Sequence, residues 1–217
     1  VPSATSRLPN PVRWLLLSIG RLLARAGLID ARRAERTTDL AWPRIVTGIA
    51  RMSKSAADVA MVGLALGSGA IAGVGYASPF WGMAFALGGG FAGATISLVS
   101  QRYGADAYDR LSLAVKTSAV VVLAVTTPVA VLFALVPHEL ISLIGSGSAP
   151  IEYGARYLRV VALGVPFAGL NLVGSRTLVG ADDAWTPMVL RAGGAVINVG
   201  LNAILIFGAG MGVVGAA

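Results

Sequence analysis

The sequence contains no cysteine and a single histidine, and only 12% of its 217 residues are charged. Without cysteine this chain can form no disulfide and can use no cysteine nucleophile. The charged fraction is about half of the roughly 25% that is usual in soluble domains. These deficits exclude an ordinary soluble globular protein.

Hydrophobic and small residues make up what the sequence does contain, with 56% hydrophobic residues, 28 glycines and a mean hydropathy of +0.77. This composition is typical of a membrane protein whose helices pack closely through small residues. Apolar stretches of about 20 residues alternate with short polar connectors, whereas a membrane β-barrel would show strands of about ten alternating residues. The predicted fold class is therefore all-α, a polytopic transmembrane helix bundle.

We predict five membrane spans and the start of a sixth at Gly212. Residues 59–101 carry no charge, and this stretch is long enough for two spans that turn at Gly67. The predicted spans are residues 39–66, 70–100, 117–137, 157–180 and 186–208. Because the sequence begins with Val1 and ends inside an apolar run, we expect it to be part of a longer chain.

Small residues repeat every four positions in the second predicted span, at Gly82, Ala86, Gly90 and Ala94. Such a row lets the backbone of a neighbouring helix come close. We therefore expect a second helix to pack on this face.

The N-terminal segment, residues 1–38, is predicted to be basic, amphipathic and cytoplasmic, and residues 39–217 to form the membrane domain. Seven arginines and three acids lie within residues 1–42. Within this segment, residues 11–29 form an amphipathic helix that either lies on anionic lipid or packs on the protein's own surface. A nucleic acid partner is not expected.

Four ionisable residues interrupt the first predicted span, and on a helix they share an arc of about 80°. Charges in a membrane helix are costly, so such a set implies a watery cavity or mutual pairing. We expect Asp58 and Lys54, one turn apart, to form a functional pair, Arg51 to line the cavity, and Arg44 to extend toward the interface. Pro43 can bend this helix.

The fifth predicted span carries Asn198 and Asn202 on one face. Their amide oxygens could ligate a cation and their amide hydrogens could bridge helices. The sequence contains no metal-binding histidine pair and no nucleophile with a base, so we expect neither an enzyme nor a cofactor.

These features resemble the N-terminal half of a multidrug and toxic compound extrusion (MATE) transporter of the DinF-like prokaryotic branch. The resemblance rests on the order and spacing of several short motifs: residues 40–43 followed by Asp58, then residues 57–63, 100–105, 165–167, 198–208 and 212–217. It covers about 180 residues.

The resemblance implies a secondary transporter of twelve spans in two six-helix lobes, which exports cationic or amphipathic compounds in exchange for protons or sodium ions. Asp58 and Asn198 match residues of the family's cation site, which makes them possible sodium ligands, and Tyr157 matches a cavity tyrosine. Two positions depart from the family: Asn202 stands where many relatives carry a second carboxylate, and Lys54 where an uncharged residue is usual. A single acid favours proton over sodium coupling.

Two other functions stay open, a flippase for lipid-linked precursors and a structural or channel subunit. A flippase would have a more cationic cavity, which Arg51 and Lys54 partly supply. A channel would not need Asp58. We expect a monomer in the cell membrane, with small molecules and lipids as its partners.

The topology is the first testable prediction. Lysine and arginine cluster in the N-terminal tail and in residues 102–116, which we expect in the cytoplasm, whereas residues 137–154 are expected outside. Single cysteines at Ser112 and Ser146 test this, since the chain has no native cysteine. A membrane-impermeant maleimide should label Ser146→Cys and not Ser112→Cys in intact cells. The reverse labelling pattern would refute the orientation.

Overall fold

The computed structural model describes residues 11–217, which form helices and no strands within that range. We number the α-helices in chain order. They are α1 (Pro11–Arg25), α2 (Ala31–Leu66), α3 (Ser68–Tyr103), α4 (Tyr108–Leu135), α5 (Pro137–Ser142), α6 (Ser148–Gly180), α7 (Trp185–Ala203) and α8 (Val213–Ala216). A π-helical turn, Ile204–Gly208, continues α7 directly. The predicted all-α fold is confirmed for the described residues.

Four of the described helices are long and apolar enough to cross a membrane: α3, α4, α6, and α7 with its π-helical turn. The chain is therefore a multi-pass membrane protein. Helix α2 has 36 residues and sufficient length, but its central charged residues exclude it from this set. The first predicted span, residues 39–66, corresponds to the C-terminal part of α2, and that it crosses the membrane stays a prediction.

Helix boundaries differ from the predicted spans in an informative way. The predicted turn at Gly67 is present, and this residue has a positive φ of 82° between α2 and α3. Helices α4 and α6 each begin nine residues before the predicted span. The added nine-residue stretches end at Lys116 and Arg156. A charged residue ends the apolar run from which a span is predicted, but it does not end the helix.

Helices α3, α4 and α6 pack into one bundle through small residues. A Cβ atom on Gly73 would lie 2.6 Å from the carbonyl oxygen of Pro150 and 2.8 Å from the backbone nitrogen of Gly154. Farther along α3, a Cβ atom on Gly88 would lie 3.7 Å from the Cα atom of Gly169, which is an ordinary van der Waals contact. At these glycines the backbones of α3 and α6 thus come close to each other.

The predicted contact row on α3 is wrong by two residues. Gly82, Ala86, Gly90 and Ala94 are all exposed in the described chain, whereas Ala77, Ala84, Gly88 and Ala92 are buried. Both rows consist of small residues, and in both the residues are four or seven positions apart. In a helix this rich in glycine and alanine, spacing alone does not identify the packed face.

Helices α2 and α7 form a pair beside this bundle and contact α3 through a buried cluster that includes Val62 and Val74. Helix α2 packs mainly against α7 and α1 and makes few contacts with α3, and α7 makes few with α6. Trp42 of α2 is buried, and its ring lies 5.6 Å from that of Trp185 at the start of α7. The α2–α7 pair and the α3–α4–α6 bundle leave a cavity between them.

Helix α1 lies against the first turns of α2. Arg13 Nε donates a 2.8 Å hydrogen bond to Asp39 Oδ1, and Gly20 is buried where its Cβ would approach Ala34. Trp14 and Leu22 remain 69% and 67% exposed. Packing on the protein's own surface therefore leaves an apolar face that lipid could cover, and lipid binding stays a prediction.

The division predicted between residues 38 and 39 falls inside α2, which runs on without a break. Residues 1–10 of the predicted N-terminal segment lie outside the described residues.

The contact at Gly73 gives a second testable prediction. Gly73→Ala should destabilise the protein by about 1–3 kcal/mol, because the added methyl group overlaps the backbone of α6. Gly75→Ala is the matched control: this glycine lies in the same helix, and a methyl group added there would meet nothing within 4 Å. Thermal unfolding in detergent should show a lower Tm for Gly73→Ala only. Equal Tm values would contradict the α3–α6 packing.

Candidate functional site

The central group of the site is the carboxylate of Asp58, which lies on α2 and is only 8% exposed. Its Oδ2 accepts a hydrogen bond of 2.5 Å from Lys54 Nζ. The two residues are four positions apart, so one helical turn brings their side chains together. The pairing predicted from the sequence is thus present, and it offsets the cost of burying the carboxylate.

Helix α7 supplies the second partner of this carboxylate. Asn202 is buried, and its Nδ2 donates a 2.8 Å hydrogen bond to Asp58 Oδ1. The same amide nitrogen lies 3.1 Å from Asn198 Oδ1, one turn earlier in α7. Asn198 is therefore linked to the carboxylate indirectly, because Asn202 hydrogen-bonds to both. Both oxygens of Asp58 are engaged, and the carboxylate joins α2 to α7 across 144 positions of sequence.

The cavity between the two helix groups has a volume of about 810 Å³. It is lined by one face each of α2, α6 and α7 and by Phe85 of α3. Five cationic side chains line it: Arg44, Arg51, Lys54, Arg176 and Arg191. Among the described residues, no carboxylate belongs to this lining.

The cavity and the carboxylate share two residues. Lys54 and Asn198 both line the cavity, and both belong to the hydrogen-bond network around Asp58. Arg44 lies ten residues before Lys54 on α2, a distance of about 15 Å along the helix. The cavity therefore extends along α2 from Arg44 as far as the side chains that contact the Asp58 network.

Other predicted site residues lie at different places. Arg51 lines the cavity, as does Pro43, which is buried in α2 next to Trp42. Tyr157 does not line it; this residue packs against the hydrophobic clusters around Val62 and Leu158.

Sequence reasoning missed the cavity role of three arginines. The sequence predicts only that Arg44 extends toward the interface, and it assigns no site role to Arg176 or Arg191. Arg176 and Arg191 come from different helices, and Arg191 Nη2 lies 3.2 Å from Ser175 Oγ. A usable signal was present, since Arg176 falls inside the fourth predicted span, where an ionisable residue indicates a function.

The described residues contain no group of three or more His, Cys, Asp or Glu side chains that could hold a metal ion. Both carboxylate oxygens of Asp58 instead accept hydrogen bonds from nitrogen donors, and one of these donors, the Lys54 ammonium, is a cation. What this arrangement can do chemically is exchange one cation for another at a single carboxylate.

Comparisons with known proteins agree with the sequence motifs. A sequence profile named MatE matches residues 43–204. The chain is 29% identical over 177 residues to the probable multidrug resistance protein NorM of Photorhabdus laumondii. The aligned region covers 82% of this chain and 39% of that relative.

Solved structures show the same relationship. One described as MATE in the straight conformation superposes with a TM-score of 0.76 and 26% identity, over 84% of this chain and 40% of that one. Another is a transporter of the MOP superfamily from Pyrococcus furiosus, described as having a binding pocket of reverse polarity. It has a TM-score of 0.70 and 27% identity, over 84% of this chain and 40% of that one. The chain thus spans less than half the length of each of these relatives.

A double-mutant cycle tests the pairing of Lys54 with Asp58. Asp58→Asn leaves the ammonium without its counter-ion, and Lys54→Gln leaves the carboxylate with one partner fewer. We expect each variant to lower the free energy of unfolding, and the double variant to lower it by about 1–3 kcal/mol less than the sum. Unfolding in mixed micelles measures these values.

The matched control replaces the other lysine of the chain, Lys116, which is exposed in α4. Lys116→Gln combined with Asp58→Asn should be additive to within about 0.5 kcal/mol. Additive behaviour of the Lys54 pair as well would mean that the two charges do not interact.

Proposed function

The chain belongs to the MatE family, whose members are membrane transporters and not enzymes, and on this premise we propose that it forms one six-helix lobe of a secondary antiporter. That membership confirms the resemblance expected from the motifs and the expectation that the chain is not an enzyme. The antiporter would export amphipathic compounds from the cell in exchange for protons or sodium ions. We also propose that it acts as a monomer in the plasma membrane, with its N-terminus in the cytoplasm.

The observation that carries this proposal is the continuity between the cavity and the Asp58 network. A cation or proton that reaches Asp58 must displace the Lys54 ammonium or the Asn202 amide. A displaced Lys54 side chain adds its free charge to the cavity that it already lines. Ion occupancy at one end and ligand occupancy at the other are thereby coupled through one side chain.

Movement of α2 relative to α7 follows from the same contact. The Asp58–Asn202 hydrogen bond ties the two helices, and ion binding weakens that tie. Pro43 removes one backbone hydrogen bond from α2, which makes bending easier near the Trp42 contact. An ion that binds one conformation better than the other then shifts the equilibrium between them.

The identity of the coupling ion depends on what can replace the ammonium. A proton neutralises Asp58 and needs no further ligand. A sodium ion would need the oxygens of Asp58 and Asn198 together, and the latter is engaged with Asn202. Because the described site offers one carboxylate and an internal cation, we propose proton coupling, with sodium as the alternative.

A flippase for lipid-linked precursors is the second candidate, and the cationic lining of the cavity favours it. The similar transporter from Pyrococcus furiosus is itself described as having a pocket of reverse polarity and a suggested different function. A flippase and an antiporter differ in whether transport depends on an ion gradient through Asp58. A channel or structural subunit would show no such dependence.

Transport by the complete gene product tests the proposal. In proteoliposomes with an imposed proton or sodium gradient, the protein should move either rhodamine 6G or carboxyfluorescein, and Asp58→Asn should reduce gradient-driven transport to background. Lys54→Gln should slow turnover, since no internal cation then replaces the bound ion. Lys116→Gln, an exposed control, should behave like the unaltered protein. Gradient-driven transport at full rate by Asp58→Asn would refute this mechanism.

A further inference from the structure

Four guanidinium groups in the cavity have no acidic partner among residues 11–217. Arg44, Arg51, Arg176 and Arg191 line it, and the ion pairs found among the described residues involve none of them. The fifth cation, Lys54, is already paired with Asp58. The described cavity therefore carries a large uncompensated positive charge.

Three of these arginines act on one another. Arg51, Arg176 and Arg191 line the same cavity from α2, α6 and α7, and Arg191 is half-buried. Like charges that share one cavity repel one another. The one described side-chain hydrogen bond of Arg191 goes to the hydroxyl of Ser175, which is neutral. Such a cluster of cations drawn from three helices is unfavourable, and an anion bound between them would offset the repulsion. Guanidinium groups bind carboxylate and phosphate oxygens through paired N–H donors, which suits such an anion.

The remaining lining is largely apolar. Phe85, Leu172 and Met188 face the cavity, and Phe167 lies there with 73% of its surface exposed. Exposed aromatic surface inside a cavity fits the apolar body of a ligand. Cationic and apolar walls together select for a molecule that has an oxyanion and a hydrophobic part.

We infer that this cavity binds an amphiphilic organic anion, with its carboxylate or phosphate held by Arg51, Arg176 and Arg191 and its apolar body against Phe85 and Phe167. That the anion is also transported rests on the proposed function, whereas its binding does not. A cationic compound, the other class expected from the family resemblance, would be repelled by the same arginines. The anion can come from a phospholipid headgroup or from a soluble metabolite, and both share the oxyanion.

Equilibrium binding to the complete, detergent-solubilised protein tests the inference. The probes are carboxyfluorescein and rhodamine 6G, which share a xanthene ring system and differ in the sign of their charge. Fluorescence polarisation should show carboxyfluorescein binding at least about tenfold more tightly than rhodamine 6G. Tighter binding of rhodamine 6G would overturn the inference.

Arginine variants place the ligand in this cavity. Arg176→Gln and Arg191→Gln should each weaken carboxyfluorescein binding about tenfold or more, as expected for the loss of one charge-assisted hydrogen bond. Arg159→Gln is the matched control, because Arg159 lies exposed on the same helix as Arg176 and outside the cavity lining. Arg176→Lys keeps the charge and should retain part of the affinity. Equal affinity in all four variants would also overturn the inference.

Lipid competition separates the two sources of the anion. The protein is placed in nanodiscs of phosphatidylglycerol or of phosphatidylcholine, and its affinity for carboxyfluorescein is compared. If a lipid headgroup is the occupant, the affinity should be lower in phosphatidylglycerol. If the occupant is a soluble anion, the two affinities should be equal. Failure of this inference is distinct from failure of the antiporter proposal. Gradient-driven export of rhodamine 6G without carboxyfluorescein binding would refute only the anion site, whereas carboxyfluorescein binding without gradient-driven transport would refute only the antiporter.

Discussion

The interaction on which the rest of the structure depends is the sharing of one buried carboxylate between Lys54 and Asn202. A lone charge inside an apolar helix segment is unfavourable, and it must find partners or be neutralised. Asp58 finds one partner on its own helix and one on α7. The consequence for the fold is that α2 is tied to α7, while near its C-terminal end Val62 also packs against Ala70 and Val74 of α3.

The two helix groups are held together internally by different chemistry. Backbone contacts at glycines bring α3 and α6 close, and interiors packed in this way resist gradual deformation. The α2–α7 pair is instead joined by a tryptophan contact near one end and by the polar network around Asp58 farther along. A polar tie that depends on an ion can be broken and remade. This difference explains how a transporter could keep one group rigid while the other responds to occupancy.

Local patterns in the sequence predicted the local part of this arrangement. Apolar runs predicted the long helices, Gly67 predicted the turn, and the four-residue spacing predicted the Lys54–Asp58 pair because a helical turn fixes it. The row of small residues on α3 was predicted on the wrong face, since glycine and alanine occur on several faces of that helix. The meeting of Arg51, Arg176 and Arg191 could not be predicted, because it depends on how three helices from distant parts of the chain converge.

The central claim, that the Lys54 ammonium takes the place of the coupling ion at Asp58, is tested most directly by experimental structures of the complete protein in lipid nanodiscs. One is determined at high pH in choline chloride, and the others at low pH or in sodium chloride. The account predicts that Lys54 contacts Asp58 in the first structure and turns toward the cavity when a proton or sodium ion occupies the carboxylate. A Lys54–Asp58 contact that is unchanged under all three conditions would contradict it.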